Sequence, residues 1–454
     1  MTLVPRWEHV GLLVGDLLVF VFSLWATLAV RYLSFPDAEF FNRHLIPFAL
    51  LFVAWVVVFF LAGLYGKHTR LFRSRLPTTI FYTQLINMAL AAIFFFSLPI
   101  FGLAPKTILV LYLFISFIFI YAWRVAIFPH MPRWLAEEKI RGVLIASGVE
   151  AHALMDEVAH DPRYPFVFDY MVDTKSAPNH EIIQRACRIV EEDDITFLVV
   201  DLSDKAISTA LPIIYDAAFH KRRFALIDAV DLYQEIFDRV PLSLIRYEWI
   251  LESVSRSRTY DFVKRILDIL GAIVLGVISL IAYPFAILAI KIDDGGPIFI
   301  TQERVGLYQK PIRIVKFRSM TGNDQGDYGS HGKTKLKVTR VGKWLRLLRI
   351  DELPQLWNVF TGDLSLVGPR PELPALVAQY NARIPYYNAR YFIPPGLTGW
   401  AQIVHDRDPH HGADIEETKT KLSYDLYYLK HRSLMLDMFV ILQTIKIIFL
   451  ARGS

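Results

Sequence analysis

The sequence predicts three parts in tandem: a membrane α-helical bundle, an α/β module, and an α+β domain carrying a re-entrant membrane helix. Three observations predict this. Four apolar runs of membrane-spanning length open the chain, with positive charge in alternate connections. Short apolar strands then alternate with helical stretches. A fifth apolar run is broken by Pro284 and flanked on both sides by basic residues. Composition agrees: 54% of the 454 residues are hydrophobic, too many for an ordinary soluble chain of this length.

The four runs are Val10 to Val30, Leu45 to Tyr65, Thr79 to Leu103 and Thr107 to Phe128. Each is near the ~20 residues that a helix needs to cross the hydrocarbon core. Lys67, His68, Arg70, Arg73 and Arg75 crowd the second connection, and Arg133, Lys139 and Arg141 follow the fourth run. The positive-inside rule then places both ends of the bundle, and the rest of the chain, in the cytoplasm. No cleavable signal peptide is expected, because the first run is long and lacks a small-residue cleavage site. Residues 1–135 are assigned to this region.

Residues 136–250 change pattern. GVLIAS, FVFDYMV, ITFLVVD and RFALID read as buried strands, with helices over 180–192 and 205–220. That alternation favours a parallel sheet with crossover helices, a Rossmann-like module. Ser147-Gly148 ends the first strand, but no G-x-G-x-x-G follows, so a dinucleotide site is not supported. Cys187 is the only cysteine, which excludes an internal disulfide framework and a cysteine-rich metal site. The net charge of +5 suits anionic lipid or phosphorylated substrates and does not call for nucleic acid.

The last part, 255–454, begins at the fifth apolar run, Ile269 to Ile290. Lys264 and Arg265 precede it, and Lys291 and Arg304 follow. A crossing helix would put one basic group outside, and Pro284 removes a backbone hydrogen bond within the run. A helix–break–helix returning to the same face satisfies both facts, and a simple span is the alternative. Strands follow, with Lys316 and Arg318 at alternate positions and hence on one face. Residues 321–334 read as a loop. Val341 to Ile350 forms an amphipathic helix, suited to a membrane interface or to packing on the domain, with Arg346 and Arg349 three apart on one face. The final apolar helix, 434–450, carries Asp437, Gln443 and Lys446, and reads as packed or interfacial.

Chemistry concentrates in IDELPQLWNVFTGDLSLVGPRPE, residues 350–372. Asp351 and Glu352 are adjacent acids, and arginines approach from both sides, Arg370 on a rigid Gly-Pro-Arg-Pro turn. Carboxylates can hold Mg²⁺ while it bridges phosphates, and arginine forks match phosphate oxygens. A helix cap followed by solvated charges is the competing reading. Asp425 reads as a substrate-positioning group or as the partner of a nearby lysine. His410-His411 looks like a metal pair but reads as solvated loop residues. Trp400, Tyr386, Tyr387, Tyr391 and Phe392 read as packing.

Taken together, these motifs carry a resemblance. Lys264-Arg265-x-x-Asp268, GGPIFITQERVG, KFRSM, TRVGKWLR, DELPQLWNVFTGDLSLVGPRPE, PPGLTGWAQI and YDLYYLKHRS resemble the bacterial sugar transferases, which are polyprenyl-phosphate sugar-1-phosphate transferases, or phosphoglycosyl transferases. The resemblance runs from about Tyr260 to the C-terminus. The four spans and α/β module, with RVPLSLI as the joint, look like the long forms that begin exopolysaccharide, capsule or O-antigen (lipopolysaccharide) assembly.

The resemblance implies a UDP-sugar donor, an undecaprenyl phosphate acceptor held in membrane lipid, Mg²⁺ as cofactor, and release of UMP through an aspartyl intermediate. It also implies a multi-pass protein of the bacterial inner membrane, with its site on the cytoplasmic face. By motif position, Asp351 matches the nucleophile and Glu352 its metal-binding partner, both reaching the metal. Arg346, Lys316, Arg318, Arg370 and Arg304 match substrate-phosphate positions, and Pro284 the helix break. Tyr283 stands where the family often has serine. A homodimer or regulatory contact is expected to use the α/β module.

Three rival readings make distinct demands. A nucleotide-sugar dehydratase would use a Tyr-x-x-x-Lys, a spacing that Tyr260 and Lys264 match, but no glycine loop precedes them. A metal-dependent glycosyltransferase would release UDP. A scaffold would show no turnover. The sequence does not specify the sugar.

Overall fold

The computed structural model describes residues 7–62, 64–65, 76–97, 106–124, 139–161, 164, 166–174, 195–202, 204, 207, 212, 225–254, 258–322, 336–405 and 414–449. The basic loop at Lys67 to Arg75, Arg133, Cys187, the helices expected over 180–192 and (bar two positions) 205–220, most of the 321–334 loop and His410-His411 lie outside the described residues. The chain divides into two compact units, Met1–Lys139 and Ile140–Ser454.

The first unit contains helices α1 (Trp7–Tyr32), α2 (Ala38–Leu61), α3 (Leu76–Ser97) and α4 (Lys106–Ala122). Asp37 starts α2 by accepting the Phe40 N–H at 2.8 Å. Phe20, Phe48, Phe52, Trp55 and Phe59 fill the centre. Leu18, Val53, Ile93, Phe96 and Ile118 face outward and exposed. Helices apolar on both faces are suited to lipid rather than water. Among the described residues, three helices are long and apolar enough to cross a membrane, within α1, α2 and α3. The fourth apolar helix is described over Thr107–Ala122; the predicted run continues to Phe128, and residues 125–128 lie outside the described residues. Arg124 pairs with the buried Asp16 and donates to the Leu64 carbonyl at 2.6 Å, so the interior charge is matched.

In the second unit, β1 (Ile140–Ile145), β2 (Phe166–Val172), β3 (Phe197–Val200) and β4 (Ala225–Asp228) form a parallel sheet in the order β2-β1-β3-β4. This is the parallel sheet predicted from the alternating pattern. Its central strands are buried on both faces, as parallel strands require. Gly142 in β1 allows the Phe197 ring to lie where a Cβ would stand, 2.2 Å away. Helix α5 (Val149–His160) follows β1, and α6 (Ala229–Phe237) follows β4, capped by Asp228 on the Val230 N–H.

The sheet module and the C-terminal domain share one apolar core. Val230, Val240, Leu244 and Ile245 pack in it together with Val359, Leu366, Tyr387 and Leu426. The Trp400 indole donates to the Asp238 carbonyl at 3.0 Å, and the Val240 N–H to the Ser423 carbonyl at 3.0 Å. The RVPLSLI segment is therefore a buried joint. Helix α7 (Tyr247–Ser253) completes it.

Helices α8 (Arg258–Ser279) and α9 (Tyr283–Asp294) are bent by 58° at the break between them. Pro284 lies in the first turn of α9, where a helix needs no N–H from it. Val274, Val277, Ile278, Leu280, Ile281, Phe285, Leu288 and Ile292 are exposed along both arms. So large an apolar surface needs lipid or a partner to cover it.

The remaining elements build the domain on this anchor. Strands β5 (Phe299–Val305) and β6 (Pro311–Phe317) form an antiparallel hairpin. Helix α10 (Arg340–Leu347) leads through a 3₁₀ turn (Ile350–Gln355) into α11 (Leu356–Thr361) and β7 (Ser365–Val367). Then come α12 (Pro374–Arg383), a 3₁₀ turn (Tyr387–Phe392), β8 (Gly396–Thr398) parallel to β7, α13 (Trp400–Val404), α14 (Ile415–His431) and α15 (Leu434–Phe449). Helix α15 is packed: its buried Asp437 accepts from Tyr428 at 2.5 Å, Tyr260 at 2.8 Å and Lys264 at 3.0 Å. The Tyr260/Lys264 spacing therefore serves a structural carboxylate.

Candidate functional site

The site begins with how α10 ends. Thr339 caps it on the Gly342 N–H at 2.9 Å. Trp344 and Leu348 are exposed and Leu345 is buried, the amphipathic pattern expected. The helix stops at Leu347, however, and Arg349 takes a left-handed backbone (φ 54°). Arg346 and Arg349 are therefore not on one helical face, as their spacing suggested. The left-handed residue costs ~1–2 kcal/mol for an L-amino acid. It turns the chain into the 3₁₀ segment that presents Asp351 and Glu352 inward. From the other side, Gly368 lies so close to the Pro394 carbonyl (2.5 Å from an added Cβ) that only glycine fits. That close approach sets the turn from which Arg370 reaches Glu352.

Asp351 is 8% exposed. Its Oδ2 lies 3.5 Å from Ser319 Oγ, and its buried Oδ1 has no hydrogen-bond partner among the described residues. Glu352 accepts from Arg370 Nη2 at 3.1 Å and lies 3.5 Å from Arg349 Nη1. Lys316 Nζ and Arg304 Nη2 both donate to Gln302 Oε1, at 2.9 and 2.7 Å, and Arg304 also reaches the Pro371 carbonyl.

Burial pushes the Asp351 carboxyl up to about 6, and repulsion from Glu352 adds to this; Lys316, Arg346 and Arg349 oppose it. Burial also pushes Glu352 up, but Arg370 and then Arg349 outweigh it and hold the group below the usual range. Burial brings Lys316 down to about 8, with Arg304 repulsion next, partly offset by Asp351. Adjacent carboxyls have thus been driven apart: Glu352 is firmly ionised by its arginines, and Asp351 is ionised near neutral pH but more basic than an ordinary aspartate. A more basic carboxylate is a better nucleophile or base.

The structure thus brings Asp351, Glu352, Lys316, Arg304, Arg346 and Arg370 to one place. Arg318 is buried against Gly296, where an added Cβ would fall 2.2 Å from its Nη1, at the C-terminal end of α9. Tyr283 rests edge-on against Phe317, the residue after Lys316, with ring centroids 4.9 Å apart.

Sequence reasoning missed Ser319 and Gln302, which touch the site through single polar atoms. It also missed a largely buried brace. Arg390 lies 2.8 Å from Asp425 and 3.7 Å from Glu372, and Glu372 takes Lys421 at 2.6 Å. Arg390 Nη2 also donates to the Arg370 carbonyl at 2.9 Å, tying the brace to the arginine that holds Glu352. Asp425 therefore pairs with an arginine rather than a lysine. Trp400, Tyr387 and Tyr391 are buried packing residues, as read.

A broken apolar helix, together with an acidic pair on a 3₁₀ turn ringed by cations, defines a membrane-associated domain with a site for anionic groups. Residues 259–451 match the family model described as bacterial sugar transferase. Among curated proteins, the chain is 42% identical over 208 residues to the UDP-N-acetylgalactosamine-undecaprenyl-phosphate N-acetylgalactosaminephosphotransferase of Aeromonas hydrophila, covering 45% of this chain and 48% of that one. It is 41% identical over 187 residues to the UDP-glucose:undecaprenyl-phosphate glucose-1-phosphate transferase of Caulobacter vibrioides (41% of this chain, 69% of that one). It is 35% identical over 190 residues to the uncharacterized sugar transferase EpsL of Bacillus subtilis (42% and 89%). The match thus spans about half the length of the Aeromonas relative and most of the Bacillus one. The chain belongs to the bacterial sugar transferase family.

Proposed function

We propose that this protein is a phosphoglycosyl transferase that moves sugar-1-phosphate from a UDP-sugar to undecaprenyl phosphate. The observation that carries the reading is the Asp351 carboxylate: buried, with an unpartnered Oδ1, and within the field of Lys316, Arg346 and Arg349. An Asp351 oxygen attacks the donor's sugar-bearing phosphorus. The bond from that phosphorus to the bridging oxygen breaks, and UMP leaves with the electron pair. A phosphate oxygen of undecaprenyl phosphate then attacks the same phosphorus and frees Asp351, giving undecaprenyl diphosphate sugar. Two displacements at one carboxylate spare the site from holding both substrates at once.

Lys316, Arg304, Arg346 and Arg370 hold the phosphate oxygens and offset charge as it moves. Arg318, the residue after β6, packs its guanidinium against Gly296 beyond the end of α9. Two adjacent carboxylates, one with an unpartnered oxygen, fit Mg²⁺. No group of three or more metal-ligating side chains occurs among the described residues, so Asp351 and Glu352 are the ligands proposed. Bound there, Mg²⁺ would neutralise diphosphate charge.

The placement follows from the same reading. Helices α8 and α9 form a re-entrant hairpin, supported by their 58° bend and exposed apolar arms. The α1–α4 region supplies four spans of the bacterial inner membrane, with the site on the cytoplasmic face. The parallel-sheet module is Rossmann-like and is the place for a homodimer contact. The reaction would be the first membrane step of exopolysaccharide, capsule or O-antigen assembly.

The test is nucleotide release by the full chain in nanodiscs with Mg²⁺, undecaprenyl phosphate and a panel of UDP-sugars. UMP appearing with one donor supports the reading. UDP would make the protein an ordinary glycosyltransferase, and no release with any donor would remove the activity.

A further inference from the structure

Arg349 stands at a position where an arginine is a poor choice for the backbone. Helices that end on a left-handed residue mostly use glycine there, because a Cβ makes the conformation costly. This chain does so after α9 (Gly295, φ 67°) and α11 (Gly362, φ 101°), while Leu33 after α1 and Asp238 after α6 take it at φ 53°. After α10 it uses Arg349, at φ 54° and ψ 20°. Strain of this kind persists where the side chain is needed, and the inference runs from the outlier to a role.

The side chain's surroundings say which role. Arg349 makes one polar contact among the described residues, with Glu352 Oε1, at 3.5 Å. That is the outer limit of a hydrogen bond. Arg370 holds the same oxygen more closely, at 3.1 Å. A guanidinium has five donors, and the Arg349 side chain is 28% exposed, on the open side of the site with Arg370 at 26%. It is a cation held at the mouth of the site by a weak contact.

We propose that Arg349 is a donor-binding residue: when a nucleoside diphosphate sugar enters, its guanidinium leaves Glu352 and pairs with the diphosphate. The proposal rests on the phosphoglycosyl transferase reading. It explains why the joint between α10 and the acidic pair keeps a strained arginine. A capping role alone would be served better by glycine.

The experiment compares the full chain in nanodiscs with Arg349→Gly, Arg349→Asn and Arg349→Lys. Glycine and asparagine both accept the left-handed backbone, so a loss of folding in one leaves the other to decide. The readouts are the thermal midpoint, steady-state kinetics with the UDP-sugar that the wild type uses, and calorimetric binding of inorganic pyrophosphate. We expect Arg349→Gly to raise the midpoint by about 2–4 °C and to raise KM for the donor. It should also weaken pyrophosphate binding, by roughly 10- to 100-fold, the range of one charge-assisted hydrogen bond. Arg349→Lys should keep the wild-type midpoint and recover part of the binding.

Unchanged KM and pyrophosphate affinity in Arg349→Gly and Arg349→Asn would overturn the proposal. So would a joint fall in midpoint and affinity that lysine does not relieve, since that would mark a structural residue. If the wild type turns over no UDP-sugar, the reading of the reaction fails. The pyrophosphate titration still decides whether Arg349 binds phosphate.

Discussion

Replacing Arg390 with methionine should be among the most damaging single changes in the second unit. Arg390 is 1% exposed, 2.8 Å from an Asp425 side chain that is 2% exposed. It also donates to the Tyr387 hydroxyl at 2.8 Å and sits over the Tyr387 and Tyr391 rings. Methionine matches much of the volume but leaves Asp425 without that cation. Glu372 fares better, since Lys421 stays 2.6 Å away. Breaking a buried pair by removing one partner costs about 3–5 kcal/mol. For a unit of this size that is a fall of roughly 6–20 °C in thermal midpoint, read by intrinsic fluorescence of the full chain in detergent. Adding Asp425→Asn should recover part of the loss, because a carboxamide needs no counter-charge. Arg390 also holds the Arg370 carbonyl, so kcat/KM should fall even where the variant is fully folded. A midpoint within about 2 °C of wild type, equivalent to under ~1 kcal/mol, would refute the assignment of Arg390 as the centre of the brace.

Other outcomes follow from the same geometry. With Asp351 up at about 6 and Lys316 down at about 8, kcat/KM should rise through about 6 as Asp351 ionises and fall through about 8 as Lys316 loses its proton; Lys316→Arg should abolish the alkaline limb, and a flat profile would count against both roles. Glu372, where burial is outweighed by Lys421 and then Arg390, is held down at about 2. Its depressed value contributes stability that is complete above its ordinary 4.5 and lost as pH falls through about 2, so Lys421→Met should move acid unfolding to higher pH. Gly342→Ala would put a Cβ 2.0 Å from the Ser319 carbonyl oxygen, and backbone atoms cannot swing aside. It should cost about 1–3 kcal/mol and disturb the residue beside Asp351; an unchanged midpoint would contradict that packing. If α8 and α9 are re-entrant, a cysteine at exposed Ile292 should label only from the cytoplasmic side, and periplasmic labelling would make the pair a span.

Elements set by local pattern were legible in the sequence. Length and apolarity located α1 to α3, and strand-like runs located all four parallel strands, because burial on both faces leaves a continuous apolar stretch. The break at Pro284 was legible because proline cannot sit inside a helix without loss. The acidic pair was legible because neighbours in sequence stay neighbours in space. Pairings across long separations were not. Arg390, Glu372, Lys421 and Asp425 meet only when α14 folds against the turn after β7 and the 3₁₀ turn Tyr387–Phe392, and no spacing rule connects them. The three groups on Asp437 come from α8 and α14 in the same way. Arg349 failed for another reason. The i, i+3 spacing assumes the helix continues, and the left-handed turn that ends it looks, in sequence, like one more helical arginine. The relation of the sheet module to the rest was also hidden, since RVPLSLI reads as a linker until its apolar residues are seen in the shared core.

The central claim is that Asp351 carries the sugar phosphate between donor and acceptor. The most direct measurement incubates the full chain with its UDP-sugar and Mg²⁺ but no undecaprenyl phosphate, quenches in acid, and maps the peptide spanning Ile350 to Glu352 by mass spectrometry. A sugar-phosphate adduct on Asp351, formed with an equal amount of UMP and absent in Asp351→Asn, is the predicted result. Product formation on adding acceptor, with no adduct and no acceptor-independent UMP, would contradict it and require direct transfer between the two substrates.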